Sequence, residues 1–306
     1  MSPESRIGRT GKKSFRFGLH VSAAGGLDRI FGRGESLGAN TVQIFSHSSR
    51  SWEFDLPTEE LLDAYRRERS TSSVSRVYVH ASYLINIASE EADIALKSRV
   101  TLRKELLTAD LLGADGLVLH PGSARGGDRS AAVRRAARIL RDVLDSLPAQ
   151  RTPLLLENTA GAGSMLGSRP DEMAEIIASV DRPDRLGLCL DSCHLFAAGF
   201  DLSSEEGLDR VLEDFLSGVP SGRLSLWHIN DALFGLGSGR DRHAGLGEGH
   251  IGQEALSRIV RKALSSGVPV ILETPKGEGE ALDRLNLRRL HTFAGLPVPE
   301  LLRDAG

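Results

Sequence analysis

Two short stretches carry side chains that could grip a cation. In Leu190-Asp-Ser-Cys-His194 an imidazole follows a carboxylate by three residues, close enough to serve neighbouring ions. In Asp241-Arg-His243 the alternate residues of an extended segment put a carboxylate and an imidazole on one side, where they could hold an ion together with His194. Imidazole nitrogen and carboxylate oxygen, without an evident thiolate set, suit Zn2+, with Mn2+ and Fe2+ as competing fits. Groups of the same kind recur along the chain: His20, His80, His120, Glu157, His228 and Glu273 each stand at the end of a short apolar run. Singly, each has an ordinary explanation as a cap or a hydrogen-bonded polar residue. Their joint meaning depends on whether the fold gathers them.

The elements that would do so are legible from periodicity. Short runs rich in Val, Ile and Leu lie at 15–21, 41–45, 76–80, 116–120, 153–158, 186–191, 225–230 and 269–274, and longer segments with helical spacing separate them. The helices are expected at 58–70, 90–112, 129–147, 171–179, 205–216, 253–263 and near 279–290. Alternating strands and helices of this number predict an α/β fold, a (β/α)8 TIM barrel of parallel strands. Strands one, three, four, five, six, seven and eight end at or beside His20, His80, His120, Glu157, Asp191, His228 and Glu273. The C-terminal strand ends of such a barrel face one mouth, so these groups would converge there. Carboxylates and imidazoles packed together without a counter-charge are costly, and metal ions relieve the cost.

Length and composition bound the rest. The chain has 306 residues, enough for one barrel at 15–306 preceded by a basic, disordered tail at 1–14 that holds Arg6, Arg9, Lys12 and Lys13. With 38 Lys plus Arg against 41 Asp plus Glu, the net charge of -3 gives no global attraction to nucleic acid or anionic lipid, so a polyanion would have to be drawn in locally. The two cysteines, Cys189 and Cys193, are too few for a disulfide framework and indicate a reducing, cytoplasmic setting. No apolar run approaches the roughly 20 residues of a membrane span, and the tail lacks the apolar centre of a signal peptide. The Gly-rich stretch 235–252 lacks a phosphate-loop lysine and reads as a flexible surround for Asp241 and His243.

Taken in order, the segments Gly18-Leu-His-Val-Ser-Ala-Ala-Gly-Gly26, Gln43-Ile-Phe45, His80-Ala-Ser-Tyr-Leu-Ile-Asn86, His120-Pro-Gly122 and Leu156-Glu-Asn-Thr-Ala-Gly161 form a pattern. It continues in Asp191-Ser-Cys-His-Leu-Phe-Ala-Ala-Gly199, His228-Ile-Asn-Asp231, Asp241-Arg-His243 and Leu272-Glu-Thr-Pro275. The chain resembles, from about Phe17 to about Leu290, the endonuclease IV family of zinc-dependent apurinic/apyrimidinic endonucleases of base excision repair. The resemblance implies three Zn2+ ions, for which Mn2+ could substitute. His80, His120 and Glu157 would serve the first ion, and Glu157 would bridge to a second held by Asp191, His228 and Glu273. His194, Asp241 and His243 would take the third. Three such ions outweigh the four carboxylates and leave the mouth positive by about two charges, which supplies the missing local attraction for phosphate.

Zinc lowers the pKa of its water to about 7 in favourable sites, so the implied mechanism needs no side-chain nucleophile. Glu157 and Glu273 would be the catalytic carboxylates, the first joining two ions and the second orienting the attacking water. The implied cut falls 5' to an abasic site in duplex DNA and leaves a 3'-hydroxyl and a 5'-deoxyribose phosphate; cleaning of blocked 3' ends is compatible with it. Arg50 and Tyr83 match family residues that enter the base stack around an extruded abasic nucleotide, and a wedge there fills the gap that extrusion leaves. Outside that resemblance Arg50 would be a solvated charge, and Tyr83 and Trp52 rim packing. Ser46-His-Ser-Ser-Arg-Ser-Trp52 departs from the family by lacking its usual Lys and Asn before the arginine. His20 is not among the nine matched ligands and is expected to donate a hydrogen bond behind them. His47, His250 and His291, like the two cysteines, carry no assigned chemistry. The expected protein is a monomer, nucleoid-associated if bacterial.

Two other readings use part of this pattern. A metal-dependent sugar isomerase or epimerase on a similar barrel accounts for Glu157, Asp191, His228 and Glu273, but leaves His80, His120, His194, Asp241 and His243 without a task. A non-catalytic binder of damaged DNA would be signalled by lost ligands, and the pattern retains all nine.

Overall fold

The computed structural model describes residues 15–219 and 224–303; the tail expected at 1–14 lies outside the described residues. Eight parallel strands close into a barrel: β1 (Phe17–His20), β2 (Thr41–Ile44), β3 (Arg76–His80), β4 (Gly116–Leu119), β5 (Leu154–Glu157), β6 (Leu186–Asp191), β7 (Leu224–His228) and β10 (Val270–Leu272). Each pairs with its neighbours in chain order, and β1 closes the ring against β10 through Phe17↔Val270 and Leu19↔Leu272. The barrel expected from the alternation is the one observed.

The outer ring is formed by α1 (Arg29–Ser36), α2 (Glu59–Thr71), α3 (Ala92–Leu111), α4 (Arg129–Asp145), α5 (Pro170–Val180), α7 (Glu205–Ser217), α8 (Gly252–Ser266) and α9 (Ala281–Phe293). Their starts follow local chemistry. Thr58, Asp128 and Ser204 each accept a backbone N–H of the following first turn, and Pro170 opens α5 with its fixed φ. Apolar faces of these helices, such as Ala132, Ala136, Leu140 and Val143 of α4, cover the outside of the barrel in one continuous core.

The inside is a separate, smaller core of Tyr78, Val118, Leu155, Cys189, Leu226 and Ile271, one side chain from each of six strands. Glycines make room for it: a Cβ on Gly116 would meet Leu155 Cδ1 at 2.7 Å, and one on Gly187 would meet Leu155 Cδ2 at 2.8 Å. This plug forms the floor below the mouth.

Two elements at the mouth go beyond the periodic pattern. A six-residue helix, α6 (Ser192–Ala197), follows β6 at once, because Asp191 accepts the His194 N–H at 2.8 Å and caps it. A two-stranded antiparallel hairpin pairs β8 (Asp231–Ala232) with β9 (His243–Ala244). The Gly-rich stretch is therefore tied down rather than a loose surround. The buried Asp231 carboxylate accepts the N–H groups of Ala232, Gly247, Gly249, Ile251 and Gly252 at 2.8 to 3.4 Å. Gly249 is required there, since a Cβ would stand 2.4 Å from the Ala232 carbonyl oxygen.

Candidate metal centre

The fold brings all nine expected cation-holding residues to the mouth. His80 and Glu157 end β3 and β5, His120 follows β4, Asp191 and His228 end β6 and β7, and Glu273 follows β10. His194 comes from α6, His243 from β9 and Asp241 from the hairpin connection. Among the described residues, three sets without cysteine have their donor atoms within 4.8 Å of one another: His80, His120 and Glu157; Glu157, Asp191, His228 and Glu273; and His194, Asp241 and His243. Glu157 belongs to two of them, with Oε2 at 3.3 Å from His80 Nε2 and 3.0 Å from His120 Nε2, and Oε1 at 2.9 Å from His228 Nδ1.

Hydrogen bonds behind the cluster decide which imidazole nitrogen faces it. His80, His194 and His243 spend Nδ1–H on the carbonyl oxygens of Ala81, Asn158 and Glu273, at 2.8, 2.9 and 3.0 Å, which leaves the Nε2 lone pair pointing inward. His228 is reversed. Gln43 Nε2 donates to the Glu273 carboxylate at 2.6 Å, which fixes its amide, so Gln43 Oε1 must accept from His228 Nε2 at 2.8 Å and the inward atom is Nδ1.

The inward nitrogens test whether cations fit. His120 Nε2, His194 Nε2 and His243 Nε2 are buried without a hydrogen-bond partner. They nevertheless face carboxylate oxygens, His120 toward Glu157 at 3.0 Å and His194 and His243 toward Asp241 at 3.2 and 3.4 Å. For His194 and His243 that sets a lone pair against a carboxylate unless a proton or a cation lies between, and burial without a partner is costly. The donor set fits divalent cations that favour nitrogen and oxygen.

Without them, protons take the strain. Burial pushes the Glu157 carboxyl up, but the imidazoles of His228 and His120 outweigh it and hold it well below the usual carboxylate range. Burial likewise opposes the shift at Glu273, which His228 holds well down, and at Asp241, which His194 and His243 bring to about 2. His194 shows the converse: burial lowers its pKa, yet Asp191 and Asp241 raise it well above the ordinary value.

His20 ends β1 behind the cluster; its Nδ1 is 3.2 Å from Gln43 Nε2 and 3.8 Å from Glu273 Oε1. Because that amide nitrogen is the donor, His20 accepts through Nδ1 where donation was expected, and burial, the largest influence, lowers its pKa. Tyr83 is 64% exposed at the rim, its ring 5.2 Å from Phe45 and 5.7 Å from His80. It borders, with His120, Asp241, Arg242 and Glu273, a cavity of about 420 Å³ over the cluster. Arg50 is exposed and lines the neighbouring cleft together with His20. Cys189 and Cys193 also lie near ligand atoms, but burial raises both thiols, Cys189 to about 12, which disfavours the thiolate that metals take.

Sequence reasoning gave no role to Gln43, Asn158 or Asn230. Asn230 Nδ2 donates to Asp191 Oδ2 at 2.6 Å while its Oδ1 accepts the Glu273 N–H; Asn158 Oδ1 accepts the Asp191 N–H. A signal existed in Thr41-Val-Gln-Ile44, where an amide interrupts a strand otherwise read as apolar.

A family model described as a xylose isomerase-like TIM barrel matches residues 31–290. A protein from Nitratidesulfovibrio vulgaris (strain DP4) named probable endonuclease 4 is 40% identical over 279 residues, covering 91% of this chain and 99% of its own. The chain belongs to the endonuclease 4 family. A second relative of that name, from Halothermothrix orenii, is 38% identical over 90% of this chain and 99% of its own. Among solved structures, endonuclease IV from Thermus thermophilus superposes with a TM-score of 0.80 at 36% identity, covering 92% of this chain and 99% of that one. A D-tagatose 3-epimerase-like protein superposes with a TM-score of 0.69 at 18% identity over 91% of this chain and 98% of that one, a likeness of fold alone. The sugar-isomerase reading thus shares the endonuclease 4 barrel.

Proposed function

We propose that this endonuclease 4 family member is a DNA-repair hydrolase that cuts the phosphodiester 5' to abasic sites in duplex DNA, leaving a 3'-hydroxyl and a 5'-deoxyribose phosphate. The reading is carried by one observation: nine candidate ligands converge in three sets, two of them sharing Glu157, more than a one-metal or two-metal isomerase would use. Three Zn2+ ions suit them, with Mn2+ as a substitute: one at His80, His120 and Glu157, one at Glu157, Asp191, His228 and Glu273, and one at His194, Asp241 and His243. Bound there, they would activate water and neutralise charge on the phosphate.

The chain's own groups do the positioning. Glu157, fully buried, keeps both oxygens turned to different imidazoles and so fixes the spacing between two sets. Glu273 is the carboxylate to orient water: Gln43 holds one oxygen, the other lies 3.3 Å from His228 Nδ1, and its side chain keeps access to the mouth. Arg50 and Tyr83 are the residues assigned to enter the duplex beside an extruded abasic sugar, a role that their exposure on neighbouring loops supports. The partner is double-stranded DNA, the unit a monomer and the setting the cytoplasm, at the nucleoid if bacterial. No helix among the described residues is long and apolar enough to cross a membrane.

The test is incision of a labelled duplex carrying one abasic analogue by protein purified without added magnesium, beside an intact duplex and a ketose. A single nick 5' to the lesion, absent from intact duplex, is expected. The His194→Ala variant should lose one ion and at least about tenfold in turnover while keeping its circular dichroism. Conversion of the ketose without any nick would replace this function by isomerisation.

A further inference from the structure

The loop between β2 and α2, in which the usual family Lys and Asn are missing, has an anchor of its own. His47 Nε2 lies 2.6 Å from Glu105 Oε1, with both side chains almost wholly buried. A carboxylate only accepts, so His47 is the donor. Glu105 comes from α3, on a buried face that it shares with Ser98, Thr101 and Thr108 as well as Leu102, Leu106 and Ala109. The same carboxylate accepts the backbone N–H of Ser82 at 3.0 Å, and Ser82 Oγ donates to the Ser49 carbonyl oxygen at 2.8 Å. On its other side the His47 ring stacks on Phe54, centroids 3.8 Å apart and planes 5° from parallel, and Lys104 Nζ stands 4.6 Å over that phenyl ring.

One buried carboxylate therefore ties together two loops. Ser46 to Trp52 presents Arg50, and the turn after β3 presents Tyr83 one residue beyond Ser82. Among the described residues, neither His47 nor Glu105 belongs to a set of cation-holding side chains. A carboxylate buried this deeply is costly unless its oxygens are satisfied, and here they are taken up by His47 and the Ser82 N–H, one from each loop.

We propose that the His47–Glu105 pair is a positioning clamp that sets Arg50 and Tyr83 relative to each other, and thereby governs how damaged duplex is engaged rather than how the phosphodiester is cut. This rests on the reading of Arg50 and Tyr83 as duplex-entering residues. Loops held in the bound arrangement spare the ordering cost that flexible loops would incur on binding.

The experiment compares parent, His47→Ala and His47→Lys, each metal-replete, on an abasic-analogue duplex and on bis(p-nitrophenyl) phosphate, a diester too small to reach the loops. Hydrogen exchange is followed in 46–54 and 82–85. His47→Ala should raise KM for the duplex by about tenfold, leave turnover of the small diester within about twofold, and speed exchange in those loops alone. His47→Lys, which returns a donor to Glu105, should recover most of the lost KM. An unchanged duplex KM in His47→Ala, equal losses on both substrates, or unaltered exchange would each overturn the clamp. Should the parent fail to nick the duplex, the functional reading falls, and exchange in the loops still decides whether the pair holds them.

Discussion

Gln43 shows how much one neutral side chain settles at a charged site. Its amide nitrogen is bound to the Glu273 carboxylate, its oxygen faces His228 Nε2, and the choice of inward nitrogen on His228 follows from that orientation. A hydrophobe of the same size keeps the packing and loses both bonds. Gln43→Leu should therefore weaken metal binding by about 10-fold to 100-fold, read by competition with a chromogenic chelator, with the far-ultraviolet spectrum unchanged. Parental affinity in that variant would show that His228 is oriented by Glu157 alone. Six of the ligand residues were legible in the sequence because each ends an apolar run, and His194, Asp241 and His243 because each stands at short spacing from another possible ligand; Gln43, Asn158 and Asn230 were not, because amides carry no charge pattern and act through atoms distant in the chain.

At the scale of elements, the strands and long helices were readable from periodicity, and β3 and β6 coincide with the expected 76–80 and 186–191. The parts that escaped are those whose cause is a single side chain rather than a repeat. α6 exists because Asp191 caps it, and the hairpin of β8 and β9 because Asp231 collects, besides the Ala232 N–H, four backbone N–H groups from a glycine-rich return. That return positions Asp241 and His243. Replacing Asp231 by Asn would turn an amide N–H toward donors at Gly247 and Gly249 or Ile251, at a cost of about 1–3 kcal/mol. The melting temperature should fall by several degrees and metal content should drop, measured by scanning calorimetry and elemental analysis; a variant with parental values of both would show that the hairpin holds without its hub.

For the molecule as a whole, the cluster couples metal, protons and stability. In the chain alone His194 and His228 have pKa values raised well above the usual 6.5, so they carry protons at neutral pH that a cation must displace. Loading stripped protein should release protons, and calorimetric titration in buffers of different ionisation enthalpy should show it; a heat independent of buffer would contradict the assignment. The sign for stability follows from the same shifts. A histidine whose folded value is raised contributes fully below 6.5, and that contribution fades as pH rises through the folded value. Stripped protein should thus melt at lower temperature as pH climbs above neutrality, while loaded protein, whose imidazoles face cations, should not.

The plug of Tyr78, Val118, Leu155, Cys189, Leu226 and Ile271 makes the barrel blind-ended, with a mouth but no exit through its floor. Reactant, water and product all share one doorway, on the side where the metal-holding groups lie. Whatever is cut there leaves by the way it came, so a product that lingers at the rim would keep the next reactant out.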